Sequence, residues 1–352
     1  MTKIINVKTS KDSYPIYIEH GLKTNWASYI KQLLRGEKVA IITDSNVGPL
    51  YANELKASLE NLNITSCIFT ISAGEKSKSI SNYENLATKL IEYNITRSDL
   101  IIALGGGVVG DLTGFVASTL LRGIDFIQIP TSLLAQIDSS VGGKVAVNLP
   151  IGKNLLGSFY HPKAVLIDPE VLQTLDKRVL SDGMAEVIKY ACIKDESFFE
   201  FLEEYDLESI SGQFDKLIST CCQIKADIVE RDEKENSERM LLNFGHTFGH
   251  VIESNFNYEV YTHGEAVGLG MLYIASLGER LGLTKLGTSD KIKTLMLKYN
   301  LPIDYPKMDI EAVKAIIAHD KKSLGEKINT IFIKKIGDSF IYPEYIDALI
   351  EK

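Results

Sequence analysis

This sequence predicts a Rossmann-like α/β N-terminal domain followed by a mainly α-helical C-terminal domain, and three observations carry that expectation. Short β-branched runs alternate with amphipathic stretches through the first half, the signature of βαβ units on a mostly parallel sheet. From about residue 178 the apolar positions recur at three and four, as in MAEVIKYACI and VIESNFNYEV, which reads as helix. The length of 352 residues suggests two domains at roughly 100–200 residues each. The boundary is therefore expected between 1–177 and 178–352.

Each element has its own justification. KVAIITD (38–44) is a buried strand, followed by a helix near 47–60. SCIFTI (66–71) is a second strand, with a helix near 79–93. DLIIALGGG (99–107) runs from a third strand into glycines and a helix to about 120, and DFIQIP (125–130) is a fourth strand. Upstream, IINVKT and YPIYIEH read as a separate hairpin at a sheet edge. Between Gly142 and Asn154, glycines, Pro150 and polar residues break the pattern, which predicts a long functional loop or a hairpin. AVLIDPE (164–170) closes the sheet, with Pro169 ending the strand and opening a helix. In the second half, NTIFIKKI (329–336) is the β-branched run that stands out.

Composition narrows the class of function. With 45% hydrophobic and 24% charged residues, the chain resembles ordinary globular proteins in which each half buries its own core. A net charge of -8 argues against a protein that coats nucleic acid, because such binding depends on surplus Lys and Arg. Four cysteines without a CxxC argue against a disulfide framework or an all-cysteine zinc site, and Cys221-Cys222 reads as part of a buried helix face. The opening residues carry charges throughout, and no apolar run approaches the roughly 18 residues that span a bilayer. The expected address is the cytoplasm.

Three constellations point to chemistry. Gly105, Gly107 and Gly110 spell GxGxxG between a strand and a helix, where glycine lets the backbone approach a pyrophosphate and the helix start offers N–H donors. The motif lies on a later βα unit than in the usual Rossmann arrangement. Asp44, at the carboxyl end of KVAIITD, stands where a carboxylate meets a ribose hydroxyl; the bland alternative is a tight packing turn with Asp111 as a helix cap. His246, His250 and His263 are half of the six histidines and fall within one short stretch. His246 and His250 share a helix face, and Glu186 on an otherwise apolar helix, with Lys189 one turn on, completes a candidate metal site. Spacing does not choose among the three histidines. Arg122, Lys144, Lys153, Lys189, Lys225 and Arg239 each lie beside glycines or apolar runs, and together suit a substrate carrying phosphate and carboxylate. Asp138, in the uncharged stretch TSLLAQIDSSVGG, is costly to bury without a role.

Taken together, these residues resemble the 3-dehydroquinate synthase family. The resemblance runs from ITDSNV (42–47) through GEK (74–76), GGGVVGDLTGFVAST, RGIDFIQIPTSLLAQIDSSVGGK, GKN, GMAEVIK and NFGHTFGH to HGEAV. It implies an NAD-binding N-terminal domain, a helical metal- and substrate-binding C-terminal domain, and an active site between them. By matched positions it implies a zinc or cobalt ion held by Glu186, His246 and His263, with His250 on the substrate side. It implies NAD contacts from Asp44, Asn46, Glu75, Lys78, Gly107, Val108, Val109, Gly110, Asp111, Thr131, Ser132, Asp138, Lys144, Lys153 and the Leu172 to Thr174 turn. It implies substrate contacts from Lys144, Asn154, Lys189, Lys225, Arg239, Asn243 and His250, and from the DKK segment, where Lys322 is favoured over Lys321. Among these, Lys144, Lys189, Lys225, Asn243, His250 and Asp138 carry the catalytic expectation. Arg122 matches an arginine that reaches the partner subunit's site, which implies a homodimer. Ala73 stands where some members have Asp.

The implied reaction converts 3-deoxy-D-arabino-heptulosonate 7-phosphate to 3-dehydroquinate and phosphate on the route to chorismate. Oxidation at C5 acidifies C6–H, phosphate departs by β-elimination with the leaving phosphate taking the proton, the hydride returns, and the opened ring closes as a carbocycle. A metal-dependent polyol dehydrogenase is a rival reading, but the Lys/Arg array and the GGK…GKN loop weigh against it. A sister cyclase acting on another sugar phosphate would lack the carboxylate that Lys225 and Arg239 suit. A non-catalytic NAD sensor fits least, because every implied metal ligand is present.

Overall fold

A computed structural model of the protein describes residues 2–10, 12–311, 313, 314, 316 and 327–350. Its internal packing divides the chain into two compact units, one of Met1–Leu175 with Cys221–Glu233, the other of Asp176–Thr220 with Lys234–Lys352.

In the first unit, strands β1 (Lys3–Lys8), β2 (Ser13–Ile18), β3 (Lys38–Asp44), β4 (Thr65–Ile71), β5 (Leu100–Gly105), β6 (Asp125–Pro130), β7 (Lys144–Leu149), β8 (Gly152–Phe159) and β9 (Ala164–Ile167) follow in chain order. Seven of them form one sheet in the order β1-β2-β9-β6-β5-β3-β4. All its neighbours are parallel except β1 against β2, the expected edge hairpin. Helices α1 (Trp26–Leu33), α2 (Asn53–Glu60), α3 (Ile80–Glu92) and α4 (Gly107–Thr119) cover the sheet. Alternation along each strand sorts the core into two layers. Val39, Ile41, Ile102 and Ile129 pack with Trp26, Ile30, Leu55 and Leu59, while Ala40, Ile42, Ile101 and Phe126 pack with Leu86, Leu90, Leu112 and Val116. Both faces are therefore covered, which is why KVAIITD and LIIALG are near-continuous apolar runs instead of alternating ones. The Gly142–Asn154 stretch resolves as the antiparallel hairpin β7–β8, and Pro169 opens a short helical turn over Pro169–Thr174.

The second unit is helical, as the change of period predicts. It holds α5 (Lys177–Lys194), α6 (Glu196–Glu203), the first turns of α7 (Phe214–Arg231), α8 (His246–Asn255), α9 (His263–Arg280) and α10 (Thr288–Lys298). Strands β10 (Lys327–Lys335) and β11 (Asp338–Tyr345) form a two-stranded sheet. β10 matches NTIFIKKI, but β11 was not expected. DSFIYPEY contains Pro343, which demotes a strand pattern; in a two-stranded ribbon every residue is at an edge, so the missing N–H is tolerated. Residues 321 and 322 lie outside the described residues, so the Lys322 expectation falls there. Among the described residues no helix is long and apolar enough to cross a membrane.

Candidate active site

The carboxyl ends of the parallel strands gather the expected nucleotide side. β5 ends at Gly105, α4 starts at Gly107, and no side chain caps α4. The glycines have separate reasons. A Cβ on Gly107 would stand 3.1 Å from Ser139 Oγ, and one on Gly106 would stand 3.5 Å from Ser132 Oγ, so side chains here would fill the cradle at the helix start. A Cβ on Gly110 would come within 2.7 Å of Gln128 Oε1 on β6, so this glycine serves close helix–sheet packing. Val109 is fully buried beneath Gly105, whose Cβ would meet it at 2.6 Å, so only the Val109 backbone is available to a ligand. Asp44 Oδ1 accepts from the N–H groups of Asn46 and Val47 at 2.8 and 2.9 Å, holding the turn after β3. The Thr131 N–H donates to Gly105 O at 3.0 Å, which seats Thr131 and Ser132 beside the glycines. Leu172 is buried, and Thr174 Oγ1 lies 2.9 Å from Tyr51 Oη.

Several cations of the unit meet carboxylates. The Lys78 ammonium, 5% exposed, reaches both the Asp111 carboxylate and the Asn154 side-chain carbonyl. Asp111 thus pairs with a lysine rather than capping α4. The Lys225 ammonium donates to the Asp138 carboxylate and, at 2.6 Å, to the Asp138 carbonyl oxygen. Asp138, the acid of the uncharged stretch TSLLAQIDSSVGG, is thus half-buried and paired with a lysine. Lys144 opens β7 exposed, directly after Gly142 and Gly143 with φ of 97° and 67°, and Lys153 is half-buried at the start of β8. Arg122 is exposed on a backbone at φ 68°, next to Leu121 at 52°.

In the second unit, Glu186 on α5, His246 opening α8 and His263 opening α9 converge, each offering a ligand atom within 4.8 Å of the others. Glu186 Oε1 lies 3.5 Å from His246 Nε2 and 3.7 Å from His263 Nε2. Bonds of about 2 Å at tetrahedral angles place ligand atoms roughly 3.3 Å apart, so the group fits a divalent ion closely. The other ring nitrogens are held: His246 Nδ1 is 3.2 Å from Phe244 O, and His263 Nδ1 is 3.3 Å from Glu253 Oε2. That leaves each Nε2 for a metal. Burial, then the nearby charges of Lys189, His263 and His250, hold His246 well below its ordinary pKa. Burial opposes charge on His263 too, but the Glu253 hydrogen bond and charge, with Glu186 and Asp182, outweigh it and raise it to about 9. The Lys189 ammonium contacts Glu186, and both side chains are 1% exposed. His250 shares the neighbourhood, its ring 5.7 Å from His246 and 6.4 Å from His263, but it is not in the group of converging ligand atoms. Arg239 is 1% exposed, and the Asn243 side-chain amide donates to Glu235 at 2.7 Å.

Glu253 and Glu235 were not singled out in the sequence. Glu253 carries a signal in hindsight, since it follows His250 by three residues and shares its helix face. Glu235 sits in RDEKENSER, which reads as an ordinary solvated charge run.

The fold and these two groups define a protein with a nucleotide-type α/β unit and a helical unit whose Glu-His-His cluster can hold a divalent metal. The chain belongs to the 3-dehydroquinate synthase family: the family's N-terminal model matches residues 68–182 and its C-terminal model matches 183–323. A 3-dehydroquinate synthase of Clostridium acetobutylicum is 51% identical over 340 residues, covering 96% of each chain. Among solved structures, a 2-deoxy-scyllo-inosose synthase complexed with carbaglucose-6-phosphate, NAD+ and Co2+ superposes with a TM-score of 0.90 at 26% identity, covering 99% of this chain and 98% of that one. A 2-epi-5-epi-valiolone synthase of Streptomyces hygroscopicus with NAD+ and Zn2+ bound gives 0.89 at 27% identity, covering 98% and 96%.

Proposed function

We propose that this chain is a phosphate-eliminating lyase that converts 3-deoxy-D-arabino-heptulosonate 7-phosphate to 3-dehydroquinate and phosphate, with recycled NAD and a zinc or cobalt ion. The observation that carries this reading is the convergence of Glu186, His246 and His263 in a chain of this family. The glycine turn before α4 and Asp44 would hold NAD+, which would supply a reversible hydride acceptor so that no net redox results. Glu186, His246 and His263 would hold the metal ion, which would supply polarisation of the substrate oxygens at the carbon being oxidised.

The chain's own residues position and neutralise. Phe244 O and Glu253 orient the two imidazoles, and the Lys189 ammonium pairs with the Glu186 carboxylate. Asp138 aligns the Lys225 ammonium, so that this cation meets an anionic substrate already oriented. Lys144 and Arg239, with Lys225, hold the phosphate and carboxylate, and Asn154 and Asn243 bind the sugar hydroxyls. His250 acts beside the metal group during phosphate elimination. The lysines and arginine favour the heptulosonate over sugar phosphates without a carboxylate. Arg122 is proposed to reach a second copy's site in a homodimer. Its exposed side chain on a left-handed backbone supports this, since non-glycine residues keep such φ values only where the surroundings impose them. A cytoplasmic location is proposed for a pathway enzyme of this kind.

The test is phosphate release from the heptulosonate phosphate with catalytic NAD+, before and after chelation, while NADH absorbance is followed. Metal-dependent phosphate release without NADH accumulation supports the lyase. Steady NADH build-up points to a dehydrogenase, and no reaction sends the search to other sugar phosphates.

A further inference from the structure

We propose that Asn148 is a positioning residue that ties the nucleotide side of the α/β unit to its substrate side. The inference rests on the proposed function and on the positions implied by the family resemblance, by which Glu75 and Lys78 serve NAD and Asn154 serves the substrate. Asn148 lies in the β7–β8 hairpin where the pairing register slips between Val147 and Leu149. An irregularity of this kind turns a residue out of its ladder and re-aims it. Here the Asn148 backbone turns to Ser79, with which it forms a parallel bridge, and its N–H donates to Lys78 O at 2.8 Å.

The side chain then divides its two ends. Asn148 Nδ2 donates to Glu75 Oε1 at 2.7 Å, and Asn148 Oδ1 accepts the Asn154 N–H at 2.9 Å. A carboxylate can only accept and a backbone N–H can only donate, so the amide has one satisfactory orientation. The Lys78 ammonium closes the ring on the Asn154 side-chain carbonyl. Asn154 sits at φ 58°, a left-handed conformation that its held N–H helps to fix. Movement of the Glu75–Ser77 turn is thereby passed to Asn154 through one amide group.

Two substitutions in the full-length, metal-loaded protein separate the two ends. Asn148→Asp keeps an acceptor for Asn154 but replaces the donor to Glu75 with a negative charge. Equilibrium titration with NAD+ is expected to show binding weakened about tenfold, while the KM for the heptulosonate phosphate changes less than about threefold. Asn148→Ala removes both contacts and is expected to raise both quantities about tenfold, with Tm within a few degrees of the parent. A lowered Tm with unchanged NAD+ binding and KM would mean a purely structural role and overturn the inference. Equal effects of Asn148→Asp on both quantities would overturn it as well, and that variant decides alone if Asn148→Ala does not fold. Glu75→Ala and Asn154→Ala serve as controls. If they leave NAD+ binding and KM respectively unchanged, the assignment of the two sides is wrong, and the inference falls with it for that separate reason.

Discussion

Replacing Gly270 with alanine tests whether the metal group depends on the approach of α8 to α9. His246 and His263 each open one of these helices, so their separation follows the helix spacing. A Cβ on Gly270 would lie 2.0 Å from Gly245 O and 2.9 Å from Gly249 N, where real Cβ atoms essentially never come within 3.0 Å. The obstacle is backbone, so the start of α8 must withdraw by ~1 Å, against a tolerance of about 0.2 Å in metal–ligand bonds. In an unhindered helix interior the substitution would gain about 1 kcal/mol of propensity. Overpacking against a rigid neighbour costs about 1–3 kcal/mol, so the clash is expected to win. The expected result is metal affinity lowered ~100-fold by chelator competition, as for loss of ligand positioning, with a net stability loss of up to ~2 kcal/mol in urea. Gly212→Ala is the control, because nothing lies within 4 Å of its Cβ. Parent-like metal affinity in Gly270→Ala would refute the argument that glycine contacts set the spacing of the two histidines.

Further outcomes follow from the same geometry. His250→Ala should impair turnover while metal content by elemental analysis stays at the parent level; loss of the metal would put His250 among the ligands. Glu233 is held down to about 2 from 4.5, first by the Ser10 N–H at 2.8 Å and then by His161 at 3.0 Å. Its folded value is depressed, so its contribution is present above about pH 4.5 and is lost as pH falls toward 2. Glu233→Gln should therefore cost ~2–3 kcal/mol at pH 7 in chemical denaturation, and the gap to the parent should close on acidification. A constant gap would locate the effect in packing. Chelation should lower Tm reversibly, with recovery on adding zinc or cobalt and none with magnesium, whose preference is for oxygen ligands. Recovery with magnesium would argue against the imidazole set.

Much of the fold was legible because its sheet is covered on both faces. The middles of KVAIITD and DLIIALG are continuous apolar runs, DFIQIP is interrupted only by Gln128, and the strands fell where these runs placed them. β11 was not legible, since Pro343 is disfavoured in strands and only its pairing with β10 shows that an edge position was available. The partition of the chain also escaped a linear reading: Cys221–Glu233 packs with the α/β unit although it follows helices of the other. Within the site, Lys78 with Asp111 and Lys225 with Asp138 were each recognisable as residues, but nothing local announced them as pairs.

The sequence alone determined the class of fold, the glycine-rich turn before α4, and the residue types from which a metal group could be drawn. These are properties of period, local backbone freedom and donor chemistry, all of which reside in short segments. Period and spacing left open which histidines meet Glu186; matched family positions named His246 and His263, and it is the tertiary structure that brings them together. His246 and His250 are closest in sequence and share a helix face, yet the ligand atoms that converge belong to residues 186, 246 and 263. The start of one helix lies near the start of another because backbone crosses backbone at Gly245, Gly249 and Gly270. That contact is long-range, and no periodicity within either helix encodes it.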